Sequence, residues 1–179
     1  MTDVFELSEI LDTFSIVCDT REQATPRAKE RFAAFGVPVQ RATLHYGDYC
    51  ANVRLPDGKW LYDPKQTIRP ACCIERKMSL DELAGCLGRG RARFKREFER
   101  ASDNKAKMYL LTEIGSWEGI LFHRYRSQLN TNAFLASLTA WSVRYDATPI
   151  FCKSDISGRM IKEILFRDMK ERLLHGEYG

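Results

Sequence analysis

Short apolar or β-branched runs alternate along the chain with stretches in which apolar residues recur every three or four positions, the pattern of strands interleaved with amphipathic helices. Residues 15–20, SIVCDT, predict a strand with a polar end. TPRAKERFAAFG (25–36) predicts a helix with a threonine cap, Pro26 in its first turn, Phe32 and Phe35 at helical spacing, and a glycine stop. Residues 37–55 read as extended structure around Gly47 and Asp48, and PDGK (56–59) as a turn. ACCIERK (71–77) is the next strand, and Ser79 with Glu82 three residues later marks a helix start of capping-box spacing. Gly88 and Gly90 interrupt that helix, and a basic one follows to about Ala101. Strands over 107–115 and 149–152 flank a helix over 130–145, and residues 156–174 supply a last amphipathic helix carrying Ile161, Ile164, Leu165 and Met169 on one side. Such alternation predicts an α/β domain with a central mixed sheet flanked by helices, without internal repeats.

The strand at 71–77 is apolar until it ends in three charges. Side chains alternate along a strand, so Glu75 and Lys77 share one face and Ile74 and Arg76 the other. A carboxylate at the end of a buried strand suits a hard divalent cation, which takes oxygen ligands and keeps several waters. A neighbouring ammonium can hold a phosphate oxygen or orient a metal-bound water, so the pair suits phosphodiester hydrolysis. One carboxylate is too few, and the chain offers Asp19 and Glu22 in CDTREQ and Asp48 in YGDYC, all near strand ends. The plain alternative for Glu75 and Lys77 is a surface ion pair contributing about 0–1 kcal/mol.

Composition narrows the classes. The 179 residues suit one domain with a substantial core, and 44% hydrophobic with 29% charged residues excludes wholesale disorder. No apolar run is long enough to span a membrane, and the acidic start lacks the features of a secretory signal, so a cytoplasmic protein is expected. Cys18, Cys50, Cys72, Cys73, Cys86 and Cys152 form no Cys-x-x-Cys pair and read as reduced core residues. The net charge of +4 comes from one place. Residues 88–100, GRGRARFKREFER, hold the whole excess, and elsewhere 22 basic residues meet 22 acidic ones. On a helix Arg89, Arg93, Arg96 and Arg100 would share a face opposite Phe94, Phe98 and Ala101, a surface for a polyanion. His45, His123 and His175 have no metal-ligand spacing, and no phosphate-cradling glycine motif follows a strand, which argues against a nucleotide cofactor.

In this order, VCDTREQ, LHYGDYC, CCIERKMSLDEL and CLGRGRARF resemble the nuclease domain of the XPF-type structure-specific endonucleases. That family's hallmark is Gly-Asp, a spacer, then Glu-Arg-Lys-x-x-x-Asp, matched by Gly47-Asp48, Glu75-Arg76-Lys77 and Asp81. Its upstream Asp-x-Arg-Glu is matched by Asp19, Arg21 and Glu22, and the likeness runs from about residue 15 to about 152. The resemblance implies a restriction-endonuclease-like three-layer fold of the PD-(D/E)xK superfamily over 15–179. Residues 1–14 would be an extension, with no helix-hairpin-helix or helicase module. It further implies a DNA endonuclease dependent on Mg²⁺ or Mn²⁺ and acting on branched or flapped duplexes, with Asp19, Asp48, Glu75 and Glu22 holding the metal. Lys77 would position or activate water, and Arg21 and Arg76 would bind phosphate or hold the carboxylates. Asp81 would support the site, with Arg76 as a partner, while Arg89, Arg91, Arg93, Arg96 and Arg100 would contact DNA. A homodimer and a bacterial or phage source are expectations of the same kind. A second class of function is a catalytically silent DNA-binding or dimerisation module of the same fold; such subunits have lost the Glu-Arg-Lys residues, which this chain keeps.

Overall fold

The structure, a computed structural model, describes residues 4–176. Helix α1, Val4–Asp12, leads into strand β1, Ser15–Asp19, whose five residues are all buried. Helix α2, Pro26–Phe35, begins where the Thr25 side chain accepts the Ala28 N–H, and Gly36 ends it at φ 65°. Strands β2, Val39–Ala42, and β3, Tyr49–Asn52, precede β4, Cys72–Lys77. Helices α3, Leu80–Leu87, and α4, Arg91–Asp103, follow, then β5, Lys107–Glu113. The chain continues through α5, Trp117–Leu121, and α6, Thr131–Arg144, to β6, Ala147–Cys152, and α7, Ser157–Leu174.

Among the described residues the strands form one six-stranded sheet in the order β2-β1-β3-β4-β5-β6. It is mixed, as expected: β3 is antiparallel to both β1 and β4, and the other pairs are parallel. Alternation along the strands divides the core. Cys73, Met108 and Leu110 face α3, α4 and α6 and pack with Leu83, Phe98 and Trp141. Ile74 and Leu111 face the other way and pack with Ile161, Leu165 and Met169 of α7. Two helical layers thus sandwich the sheet, the three-layer α/β arrangement the sequence predicts. β6 is an edge strand with Pro149 at its middle.

In the stretch read as an extension ahead of the domain, Leu7 and Ile10 of α1 are buried in the same cluster as Ile16 and Leu165. Two details differ from the sequence-based expectation. The extended region over 37–55 is two short strands separated by the loop that carries Gly47 and Asp48. Helix α5 has no counterpart in the expected elements: it is five residues long and leaves Trp117 and Leu121 exposed, so it lacks a buried periodic stripe.

Candidate active site

The charged end of β4 is built as the alternation requires. Glu75 and Lys77 lie on one face, each only 7% exposed, and the Lys77 Nζ pairs with Glu75 Oε1 while lying 4.9 Å from the centroid of the Phe94 ring. Asp48 is brought to them by the loop before β3. Its N–H donates to Ile74 O at 2.8 Å, its carbonyl accepts the Asp19 N–H at 2.8 Å, and its Oδ2 accepts the Arg76 N–H at 2.7 Å. Gly47 makes this approach possible, because its φ is +76° and a Cβ there would lie 2.8 Å from Cys73 Cβ. Asp48, Glu75 and Lys77 line a cleft of about 410 Å³, together with Glu22, Arg76 and Arg93.

The electrostatics follow from crowding. Burial, and then the Glu75 carboxylate, push the Asp48 carboxyl well above the usual aspartate range. Burial alone would lower the Lys77 pKa, but Glu75 and Asp48 outweigh it and hold the ammonium above lysine's ordinary value. Asp48 and Glu75 thus set two carboxyl groups beside one fixed cation in the cleft.

Asp19 is placed differently from the other acids. It is 1% exposed and does not line the cleft: Oδ1 accepts the Arg21 N–H and Nε–H at 2.8 and 2.7 Å, and Oδ2 accepts the Leu44 N–H at 2.7 Å. Both oxygens are engaged in fixing the loop after β1. Arg21 is thereby held at the cleft, 3.8 Å from Glu97 of α4.

Arg76 does not pair with Asp81, which corrects that expectation. Asp81 instead accepts the N–H groups of Arg126 and Ser127 at 2.6 and 3.0 Å and the Arg126 Nε–H at 3.3 Å, pinning the loop after α5. Arg76 lies at the rim of the same cleft, where its Nη1 donates to Glu113 Oε2 at 3.3 Å and its Nη2 lies 3.8 Å from Oε2 of Glu22, which also lines the cleft. Arg31 of α2 completes the set, donating to Glu113 Oε1 at 3.4 Å and to the Tyr49 hydroxyl at 3.1 Å, while Tyr49 donates to Glu22 at 3.2 Å. Sequence reasoning missed Arg31, Tyr49 and Glu113. The signal present was an arginine on the apolar face of α2 and a glutamate closing the buried run of β5.

The basic segment splits by environment. Arg89 precedes α4, and Arg93 and Arg96 are exposed on it without a hydrogen bond or ion pair among the described residues. Arg91 donates to Leu87 O and Ser137 Oγ and lies 5.0 Å from the centroid of Trp141, tying α4 to α6. Arg100 donates to His45 O at 2.9 Å and pairs with Glu97. Phe94, Phe98 and Ala101 are buried opposite, as the spacing predicts.

With this geometry in hand, comparison with known families is decisive: the model of the ERCC4 domain matches residues 18–164. The chain belongs to the ERCC4 domain family. Comparison with curated protein sequences yields no match. Among solved structures, this ERCC4 domain is similar to XPF from Aeropyrum pernix, with a TM-score of 0.60 and 19% identity over 92% of this chain and 69% of that one. A structure of XPF from Aeropyrum pernix in complex with DNA gives a TM-score of 0.59 at 20% identity, covering 89% of this chain and 66% of that one. The likeness establishes an XPF nuclease fold, restriction-endonuclease-like, for the ERCC4 domain.

A divalent ion has a partial donor set here. Among the described residues no group of three or more His, Cys, Asp and Glu side chains is placed to hold a metal ion, and both oxygens of Asp19 are engaged by Arg21 and Leu44. Asp48 and Glu75, however, crowd one another at the cleft, and neither Asp48 Oδ1 nor Glu75 Oε2 has a hydrogen-bond donor among the described residues. Two carboxylate oxygens facing an open cleft fit Mg²⁺, which is commonly bound by one or two carboxylates and retained waters.

Proposed function

We propose that this ERCC4 domain is a metal-dependent endodeoxyribonuclease that hydrolyses phosphodiester bonds in branched or flapped DNA. The observation that carries the reading is the convergence of Asp48, Glu75 and Lys77 on one cleft beside Arg93. Asp48 and Glu75 would hold Mg²⁺ or Mn²⁺, with Glu22 contributing through water. The ion when bound supplies charge stabilisation at the attacked phosphate and acidifies a water. Lys77, kept charged by its two carboxylate neighbours, holds a phosphate oxygen and orients the attacking water. Arg21 and Arg93 position the DNA backbone. The oxygen of water bonds to phosphorus as the bond to the 3′ oxygen breaks, the water releasing a proton to solvent and the departing oxygen taking one up, which leaves a 5′-phosphate and a 3′-hydroxyl.

The alternative, a DNA-binding module without catalysis, draws support from the engagement of Asp19 with Arg21. One experiment separates the two: cleavage of linear duplex, 3′-flap and fork DNA with Mg²⁺, Mn²⁺ or chelator, by wild type and Glu75→Ala in parallel. The endonuclease reading expects metal-dependent cutting, strongest on flap or fork and lost in Glu75→Ala. DNA binding with no cutting by wild type, or equal cutting by the variant, overturns it. The homodimer implied by the resemblance belongs to the same proposal, and light scattering reads its mass directly.

A further inference from the structure

Helix α3 contains a glycine that its packing does not require. Beyond its chain neighbours and its own helix backbone, a Cβ built on Gly85 meets no heavy atom of the described residues within 4 Å. Its neighbours in the α3–α4 turn are different: a Cβ on Gly88 would lie 3.1 Å from Ala84 O, and one on Gly90 would lie 3.2 Å from Gly85 O. Those two are bare because the turn is tight, with the Gly88 N–H donating to Ala84 O and the Gly90 N–H to Gly85 O. Gly85 has helical neighbours and open space, in a setting where glycine is among the poorest helix formers.

A second observation gives that space a purpose. Gly85 lines the catalytic cleft and also a separate groove of about 640 Å³ on the outer side of α3. The outer groove carries Arg89 and Arg126, both exposed, and among the described residues Asp81 is the only acid lining it. Asp81 is already engaged by Arg126 and Ser127, so it anchors the loop on α3 and leaves the groove basic on balance. Two cavities with unpaired or exposed arginines, Arg93 in one and Arg89 and Arg126 in the other, therefore meet at a bare stretch of helix backbone.

We propose that a DNA strand leaving the catalytic cleft past Arg93 crosses α3 at Gly85 and enters the outer groove, where Arg89 and Arg126 take its phosphates. The missing side chain lets the sugar-phosphate backbone touch the helix backbone. Contacts of this kind are sequence-independent and salt-sensitive. Asp81 acts as a positioning residue for the outer groove and has no part in holding metal. The inference rests on the DNA-endonuclease reading and adds a strand path to it.

The test is fluorescence anisotropy of the full chain with a fluorescein-labelled fork DNA, without added divalent metal, alongside thermal unfolding. Gly85→Ala is expected to raise the thermal midpoint and yet weaken binding, and Gly85→Leu to weaken it by about tenfold through direct obstruction. Arg126→Ala, at a side chain 92% exposed, is expected to lower the slope of log affinity against log salt by about 1. Wild-type binding that is matched by Gly85→Leu, with an unchanged salt slope for Arg126→Ala, overturns the crossing path and leaves the endonuclease reading standing. A lowered midpoint for Gly85→Ala overturns it too, because the glycine would then serve the fold. Absence of binding by wild type overturns both.

Discussion

At the scale of single residues, the cleft stores unfavourable electrostatics that the fold tolerates. The Asp48 carboxyl is raised by burial and by Glu75, so the folded state binds its proton more tightly than the unfolded chain does. Above the ordinary aspartate pKa its charge therefore costs stability. Asp48→Asn keeps an oxygen to accept the Arg76 N–H and removes that cost. It is expected to raise stability by about 1 kcal/mol, roughly 2–4 °C in midpoint, while cutting cleavage about a hundredfold or more; calorimetry and a cleavage assay on one preparation check both signs. Glu113 supports the fold. Removing it in Glu113→Ala leaves the buried Arg31 and the partly buried Arg76 with Glu22, 3.9 and 3.8 Å away, as their remaining carboxylate, a loss of about 1–3 kcal/mol readable by urea unfolding. The strand alternation that put Glu75 and Lys77 on one face was legible from 71–77 alone. The engagement of Asp19 was not, because it depends on Arg21 folding back and on the Leu44 N–H arriving from 25 residues away. Glu113 was equally hidden, since its tie to Arg76 exists only through the parallel pairing of β4 with β5.

At the scale of elements, α4 shows how one helix divides its charges between fold and partner. Arg93 and Arg96 have no hydrogen bond or ion pair among the described residues, whereas Arg91 and Arg100 are spent on Ser137, Trp141, His45 and Glu97. Replacing Arg93 and Arg96 together with alanine is expected to lower the salt slope of DNA binding by about 2 with little change in stability. Arg100→Ala is expected to do the reverse, costing about 1–3 kcal/mol of stability through the lost bond to His45 O. Parallel salt titrations and unfolding curves distinguish the two classes. The sequence pattern located the helix and its buried Phe94 and Phe98, because a stripe at helical spacing needs only local information. It could not sort the arginines, which differ by what the loops and α6 bring to them. Helix α3 was legible for a similar reason: the Ser79 cap is local, with its Oγ accepting the Glu82 N–H. The reciprocal bond differs by one position, since Glu82 takes the Met78 N–H and not that of Ser79.

At the scale of the whole molecule, the order of strands decides what is near what. The antiparallel β3 in the middle of the sheet carries Asp48 to the end of β4, and the parallel β4, β5 and β6 set their C-terminal ends side by side. The α/β class and the mixed sheet were readable from alternation, but the strand order was not, because no local pattern records which strands become neighbours. The same order leaves β6 at an edge, with consequences for the protein in concentrated solution. The Ile114 N–H donates to Cys152 O, so Cys152 and, by alternation, Ile150 direct their backbone groups toward β5. Pro149 then falls in the outward set, where it has no N–H to offer. A second molecule attempting to extend the sheet would meet a gap between the donors of Ala147 and Phe151. Pro149→Val is expected to close that gap and hasten fibrillar aggregation at high protein concentration, measured by light scattering and thioflavin fluorescence. At the β6 rim, a single imino acid is thus expected to hinder amyloid-like stacking.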